Sequence, residues 1–87
     1  MAVEYKSTWK GKFPHAVILS GREAANVLYY ETGFEQLHPI PPIHVWMSER
    51  GYEYYKTWNC VVVTPREEWA IVFPDKEICE LFMMKWL

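Results

Sequence analysis

Two cysteines and three histidines are the soft ligands of this chain: Cys60, Cys79, His15, His38 and His44. No pair among them has the Cys-x-x-Cys or His-x-x-x-His spacing that gathers zinc ligands. His38 and His44 flank a stiff proline run, which is not a zinc spacing either. Nucleophilic catalysis needs a reachable Cys or Ser beside a His. An enzyme site would have to be assembled from His15, His44 and Cys60, and this ranks below the binding readings. Cys60 sits between Asn59 and Val61 in an apolar run, where a buried thiol is expected. The carboxylates Glu67 and Glu68 share a turn, where water keeps both ionised. The residues therefore predict no catalytic group, no metal and no cofactor.

Aromatic side chains are the other candidate chemistry. Five Trp, six Tyr and four Phe stand in 87 residues. Trp46, Tyr52, Tyr54 and Trp58 are expected on one face of a sheet, with Tyr55 on the other. Helices cover one sheet face, so some of these rings should meet solvent. Exposed Tyr and Trp anchor protein interfaces, which makes Trp46, Tyr52, Tyr54 and Tyr55 a candidate protein-binding surface. The same rings stack single-stranded bases when cations lie beside them. Arg50 and Lys56 would supply the phosphate contacts in that alternative.

The elements that must position these residues are clearest at the C-terminal end. Trp58, Cys60 and Val62 alternate with Asn59, Val61 and Val63, the period of a strand. Thr64-Pro65-Arg66-Glu67-Glu68 makes a turn, and Trp69, Ile71 and Phe73 resume the alternation. Pro74-Asp75 opens a helix with Ile78, Leu81, Phe82, Met83 and Trp86 on one broad side. That helix is apolar nearly all round, more than one buried stripe requires. The surplus, Met83, Met84, Trp86 and Leu87, is a candidate self-association surface facing a second copy.

Upstream, Ser20 with Glu23 fits a capping box at the start of a helix that Gly33 would close. A Ser-Gly turn can also hold an anion, but a single glycine makes simple capping the better reading. His38-Pro39-Ile40-Pro41-Pro42-Ile43-His44 predicts a stiff extended linker. Ile43 to Ser48 then reads as a strand, Glu49-Arg50-Gly51 as a turn, and Tyr52 to Thr64 as one long strand. Tyr5 to Lys12 alternates as an edge strand whose lysines discourage pairing with other sheets. It continues into His15–Leu19, either as a bent strand or as a hairpin. The fold class is α+β: an antiparallel sheet of three to five strands, in the order β-α-β-β-β-α with an extra N-terminal strand allowed, and helices packed on one face.

Length and charge bound the rest. A chain of 87 residues is expected to form one domain, 1–87. It buries roughly 60–65% of its unfolded surface, and large aromatics compensate for a thin core. Nine Lys and Arg against eleven Asp and Glu give a net charge of −2. That argues against a dedicated duplex binder, which needs a basic face. Lys6, Lys10 and Lys12 make the start basic, while Glu67, Glu68, Asp75, Glu77 and Glu80 make the end acidic. No apolar run reaches the ~20 residues that span a bilayer, and none at the N-terminus has signal-peptide length. The expectation is a cytoplasmic protein with no membrane partner.

The stretch Phe73-Pro74-Asp75-Lys76-Glu77-Ile78-Cys79-Glu80-Leu81-Phe82-Met83-Met84-Lys85-Trp86 resembles the ending of small orphan proteins of tailed bacteriophages. There a strand leads through an acidic turn into a short helix with a Phe, a Lys and a terminal Trp, as Phe82, Lys85 and Trp86 stand here. The resemblance implies a small accessory protein that binds a host protein, or itself as a homodimer. It carries over no functional residue.

Overall fold

The computed structural model describes residues 3–9 as backbone, and 13–30, 37–64 and 67–87 in full. Nine elements follow one another: β1 (Val3–Trp9), β2 (Phe13–Ser20), α1 (Gly21–Val27), β3 (Leu28–Tyr30), β4 (Leu37–Pro39), α2 (Pro41–Glu49), β5 (Asn59–Thr64), β6 (Glu68–Phe73) and α3 (Lys76–Trp86). The α+β class and the antiparallel sheet are as the sequence predicts. The element order is richer than expected, because residues 43–48 are helical and a second, two-stranded sheet appears.

The main sheet has the order β1-β2-β6-β5. Two hairpins, β1-β2 and β5-β6, meet where β2 pairs antiparallel with β6 from His15↔Phe73 to Ser20↔Glu68. β2 and β6 are therefore the central strands, and both read as nearly continuous apolar runs. The N-terminal strand is an edge strand in a hairpin, one of the two arrangements its pattern allows. The side chains of Lys6, Lys10 and Lys12 lie outside the described residues, as do Gly33, Pro65 and Arg66.

All three helices cover one face of this sheet. Val17, Leu19, Cys60, Ile71 and Phe73 meet Ala24 and Val27 of α1, Ile43 and Met47 of α2, and Ile78, Cys79 and Phe82 of α3 in one core. The reverse face carries Phe13, Ala16, Ala70 and Val72, with Ile18 and Val61 beside them. No Trp or Tyr is among the buried or flanking side chains of that reverse-face cluster. Among the described residues, the aromatics expected on that side of the sheet are absent from this cluster, and its Phe13, Ala16, Ala70 and Val72 are themselves buried.

α1 is shorter than the capping signal implied. Ser20 does occupy the N-cap, but its side chain makes no capping hydrogen bond, and the helix stops at Val27. Leu28 to Tyr30 turn extended and pair with Leu37 to Pro39, and the Ile40 N–H reaches the Val27 carbonyl at 3.0 Å. Tyr29 and Tyr30 are aromatics that suit a strand, and they favour that extended ladder over further helix.

The proline run is the largest correction. Pro41 and Pro42 occupy the first positions of α2, after Ile40 as an extended N-cap. Proline lacks an N–H that would be unsatisfied there, and its fixed φ suits the first turn. The residues that looked like a barrier to helix are its start. Ile43 and Met47, one turn apart, form its buried stripe. Its end is a Schellman closure. The Gly51 N–H donates to the Ser48 carbonyl and the Tyr52 N–H to the Met47 carbonyl, at 3.0 and 3.1 Å. Gly51 takes φ 85 there, a conformation natural to glycine. The expected long strand from Tyr52 shrinks to β5, because residues 53–58 fold back into a tight loop.

α3 begins where the sequence puts it. Asp75 is its N-cap: Oδ1 accepts from the Ile78 N–H at 2.9 Å, and Oδ2 accepts from the Tyr52 hydroxyl at 3.0 Å. One carboxylate thus starts α3 and ties it to the loop after α2. Asp75→Ala is expected to cost about 1 kcal/mol for the cap and about 1 kcal/mol more for the tyrosine contact. Urea denaturation checks it, and Asp75→Asn should recover most of the cap.

At the far margin of the sheet, β5 is an uncharged strand with Val61, Val62 and Val63 at its centre. The Asn59 side chain accepts the Cys60 N–H at 2.8 Å, and the pairing with β6 slips register between Val62 and Thr64.

Candidate functional site

The predicted site residues lie on α2 and the segment after it, not on the sheet. His44 and Trp46 are two apart on a helix, so they leave on different sides. They seed two aromatic groups.

The first group surrounds Trp46. Its ring meets Phe82 at 6.4 Å and Trp86 at 6.2 Å, both edge to face. The Arg50 guanidinium lies 4.0 Å from the Trp46 ring centroid and also donates to the Trp46 carbonyl. Tyr52 stands nearby, and its hydroxyl is held by Asp75. Partial burial, then that hydrogen bond, raises the Tyr52 pKa. Arg50, Tyr52, Glu77, Ile78 and Leu81 line a shallow hollow of about 260 Å³. Trp46 and Tyr52 are half-buried and packed against the core.

The second group is Tyr54, Tyr55, Trp58 and His44. Tyr54 meets Tyr55 at 4.2 Å, Trp58 at 4.7 Å and His44 at 4.7 Å, while His44 also meets Trp58 at 5.3 Å. Trp58 is buried and Tyr54 half-buried, and burial pushes the Tyr54 pKa upward. Tyr55 is different: it is 61% exposed. It is the one non-glycine residue with positive φ among the described residues, at φ 71.

The loop that carries Tyr55 is closed on itself. The Lys56 and Thr57 N–H groups donate to the Glu53 carbonyl, and the Tyr55 N–H donates to the Trp58 carbonyl. The Glu53 N–H donates to the Thr57 hydroxyl at 2.8 Å, and that hydroxyl returns a bond to the Glu53 carbonyl. A short loop with this many bonds presents its tip rigidly.

The four predicted contact residues therefore separate. Tyr54 and Tyr55 belong together; Trp46 and Tyr52 sit around the other side of α2. The two candidate cations are both engaged, Arg50 on Trp46 and Lys56 in an exposed pair with Glu53 at 3.2 Å. Of the residues named for self-association, Met84 and Leu87 are exposed, while Met83 and Trp86 are half-buried against the core. Leu81, expected on the buried side, is exposed instead. Tyr29 and Tyr30 are exposed on β3, where the sequence placed a helix.

Two residues of the enzyme alternative, His15 and Cys60, lie on different strands. His15 pairs with Phe73 and Cys60 with Ile71, on strands either side of β6. Two strand spacings separate their backbones by about 10 Å. Burial pushes the Cys60 thiol up to about 12, so it stays protonated. Among the described residues no three His, Cys, Asp or Glu gather as metal ligands, and no helix is long and apolar enough to cross a membrane.

Burial holds the His44 imidazole below its ordinary value of 6.5; a contact with the Pro39 carbonyl opposes this and His38 adds to it. The unfolded chain then binds the proton better than the folded one. The contribution of neutral His44 is complete above 6.5 and is lost as pH falls through its folded value. Stability should therefore drop as pH falls below the ordinary imidazole value of 6.5, and His44→Asn should flatten that slope. Thermal melts across the range measure it.

Comparison with family models, with curated proteins and with solved structures gives no match for this chain.

Proposed function

We propose that this is a small accessory protein that acts by binding another protein, with Tyr55 as the anchor of the contact. One observation carries this reading. A non-glycine residue in the left-handed region costs about 1–2 kcal/mol, and Tyr55 bears that strain while most of its ring faces solvent. The fold gains from this tyrosine a ring contact with Tyr54 at 4.2 Å, but glycine or asparagine would serve the turn itself better. Strain held at an exposed aromatic on a rigid loop supports a contact role. The resemblance of the C-terminal third to small phage proteins fits a partner in a bacterial host's cytoplasm.

Tyr55→Gly separates fold from function. Relief of strain is opposed by the added freedom of the unfolded glycine and by the lost ring contact with Tyr54, so stability should move by less than about 1 kcal/mol. Partner affinity should fall by roughly 2 kcal/mol or more. A photo-crosslinking phenylalanine placed at 55 should give a discrete protein adduct in a bacterial lysate, with none from the same probe at exposed Asn26 of α1. Equal labelling at both positions rejects the reading. Adducts that disappear on nuclease treatment would move it to single-stranded nucleic acid, for which Arg50 and Lys56 are poorly placed while engaged with Trp46 and Glu53.

A further inference from the structure

α3 has an outer face that the fold does not use. Ile78, Cys79 and Phe82 turn inward, while Leu81, Met84 and Leu87 point out at spacings of three. Met84 is 83% exposed. The charges around this stripe are ordered along the helix. Glu77 and Glu80 lie in its first half, with Lys76 paired to Glu80 at 3.7 Å, and Lys85 lies in its last turn.

We propose that this face is a self-association surface on which two copies pair their α3 helices antiparallel about a twofold axis, Leu81 of each against Met84 of the other. Three features select a second copy in this orientation. An antiparallel pair brings each Lys85 to the acidic first half of the other helix, whereas a parallel pair stacks Glu77 and Glu80 on themselves. Opposed helix dipoles add to that preference. The hollow lined by Arg50, Tyr52, Glu77, Ile78 and Leu81 lies beside the first turns, where the antiparallel register delivers the other copy's last turn. Met84, flexible and projecting, and Leu87 are the side chains that arrive there. A twofold repeats every contact, so a short stripe counts twice. The surface is separate from the Tyr55 loop, and Tyr55→Gly should leave the pairing intact.

Sedimentation equilibrium over a wide concentration range tests it. The wild-type mass should climb from monomer toward dimer. Met84→Glu should stay monomeric and melt where dilute, monomeric wild type melts, since in the monomer the side chain is already in water. Lys85→Glu alone, and Glu77→Lys with Glu80→Lys, should each weaken self-association by about tenfold. An equimolar mixture of those two folded proteins should restore the dimer. A wild type that remains monomeric throughout overturns the proposal. So does a Met84→Glu protein that associates like wild type, or a mixture that stays monomeric.

Discussion

Trp58→Ala should remove about 3–5 kcal/mol of stability, among the largest losses expected of any single truncation in this protein. Trp58 is 1% exposed and precedes β5, where it packs against Tyr54 and His44. That loss counts both the transfer energy and the cavity left behind. A chain of this length has about 4–13 kcal/mol in total, so the loss takes from about a quarter to all of it. Trp58→Phe keeps a ring in place and should retain a cooperative transition at lower denaturant. Circular dichroism with urea decides the matter: an alanine variant whose midpoint stays near wild type would show that the surroundings collapse into the space. The loss would also reach Tyr55, because its neighbour Tyr54 rests on Trp58.

Phe82→Ala is the second large effect, again about 3–5 kcal/mol. Phe82 is fully buried on α3, 5.3 Å from Phe73 on β6 and 6.4 Å from Trp46 on α2. It is the ring through which α3 grips both the sheet and the neighbouring helix. A cycle combining Phe82→Ala with Trp46→Ala should reveal coupling of about 0.5–1.5 kcal/mol, the usual scale for an edge-to-face pair. Additive losses would mean that the two rings act separately.

The C-terminal unit was legible because its signals are local. Alternation in 58–63 and 69–73 and an Asp before an apolar helical stripe each report their element within a few residues. α2 is concealed because Pro41-Pro42 has two meanings, barrier to a helix or its first turn. The spacing of Ile43 and Met47 was the signal that decides for helix. The end of α1 was hidden for another reason: Leu28–Tyr30 leaves the helix to pair with Leu37–Pro39, a long-range gain that no local pattern announces. The pairing of β2 with β6 joins far more distant stretches of chain. At the candidate site, the sequence identified the aromatic residues but placed them on a sheet. The positive φ of Tyr55 has no signature in residue type, since tyrosine seldom adopts it.

The margin of the main sheet has a consequence for handling and for evolution. Three consecutive valines in an uncharged strand are the kind of template on which stray chains stack into fibrils. In β5 two modest devices oppose this: one asparagine amide that occupies a backbone donor, and one slipped register that spoils a flat ribbon. Substitutions at Asn59 that leave folding energy nearly untouched should still shorten the shelf life of concentrated protein. The pressure that keeps this residue would then be colloidal rather than architectural.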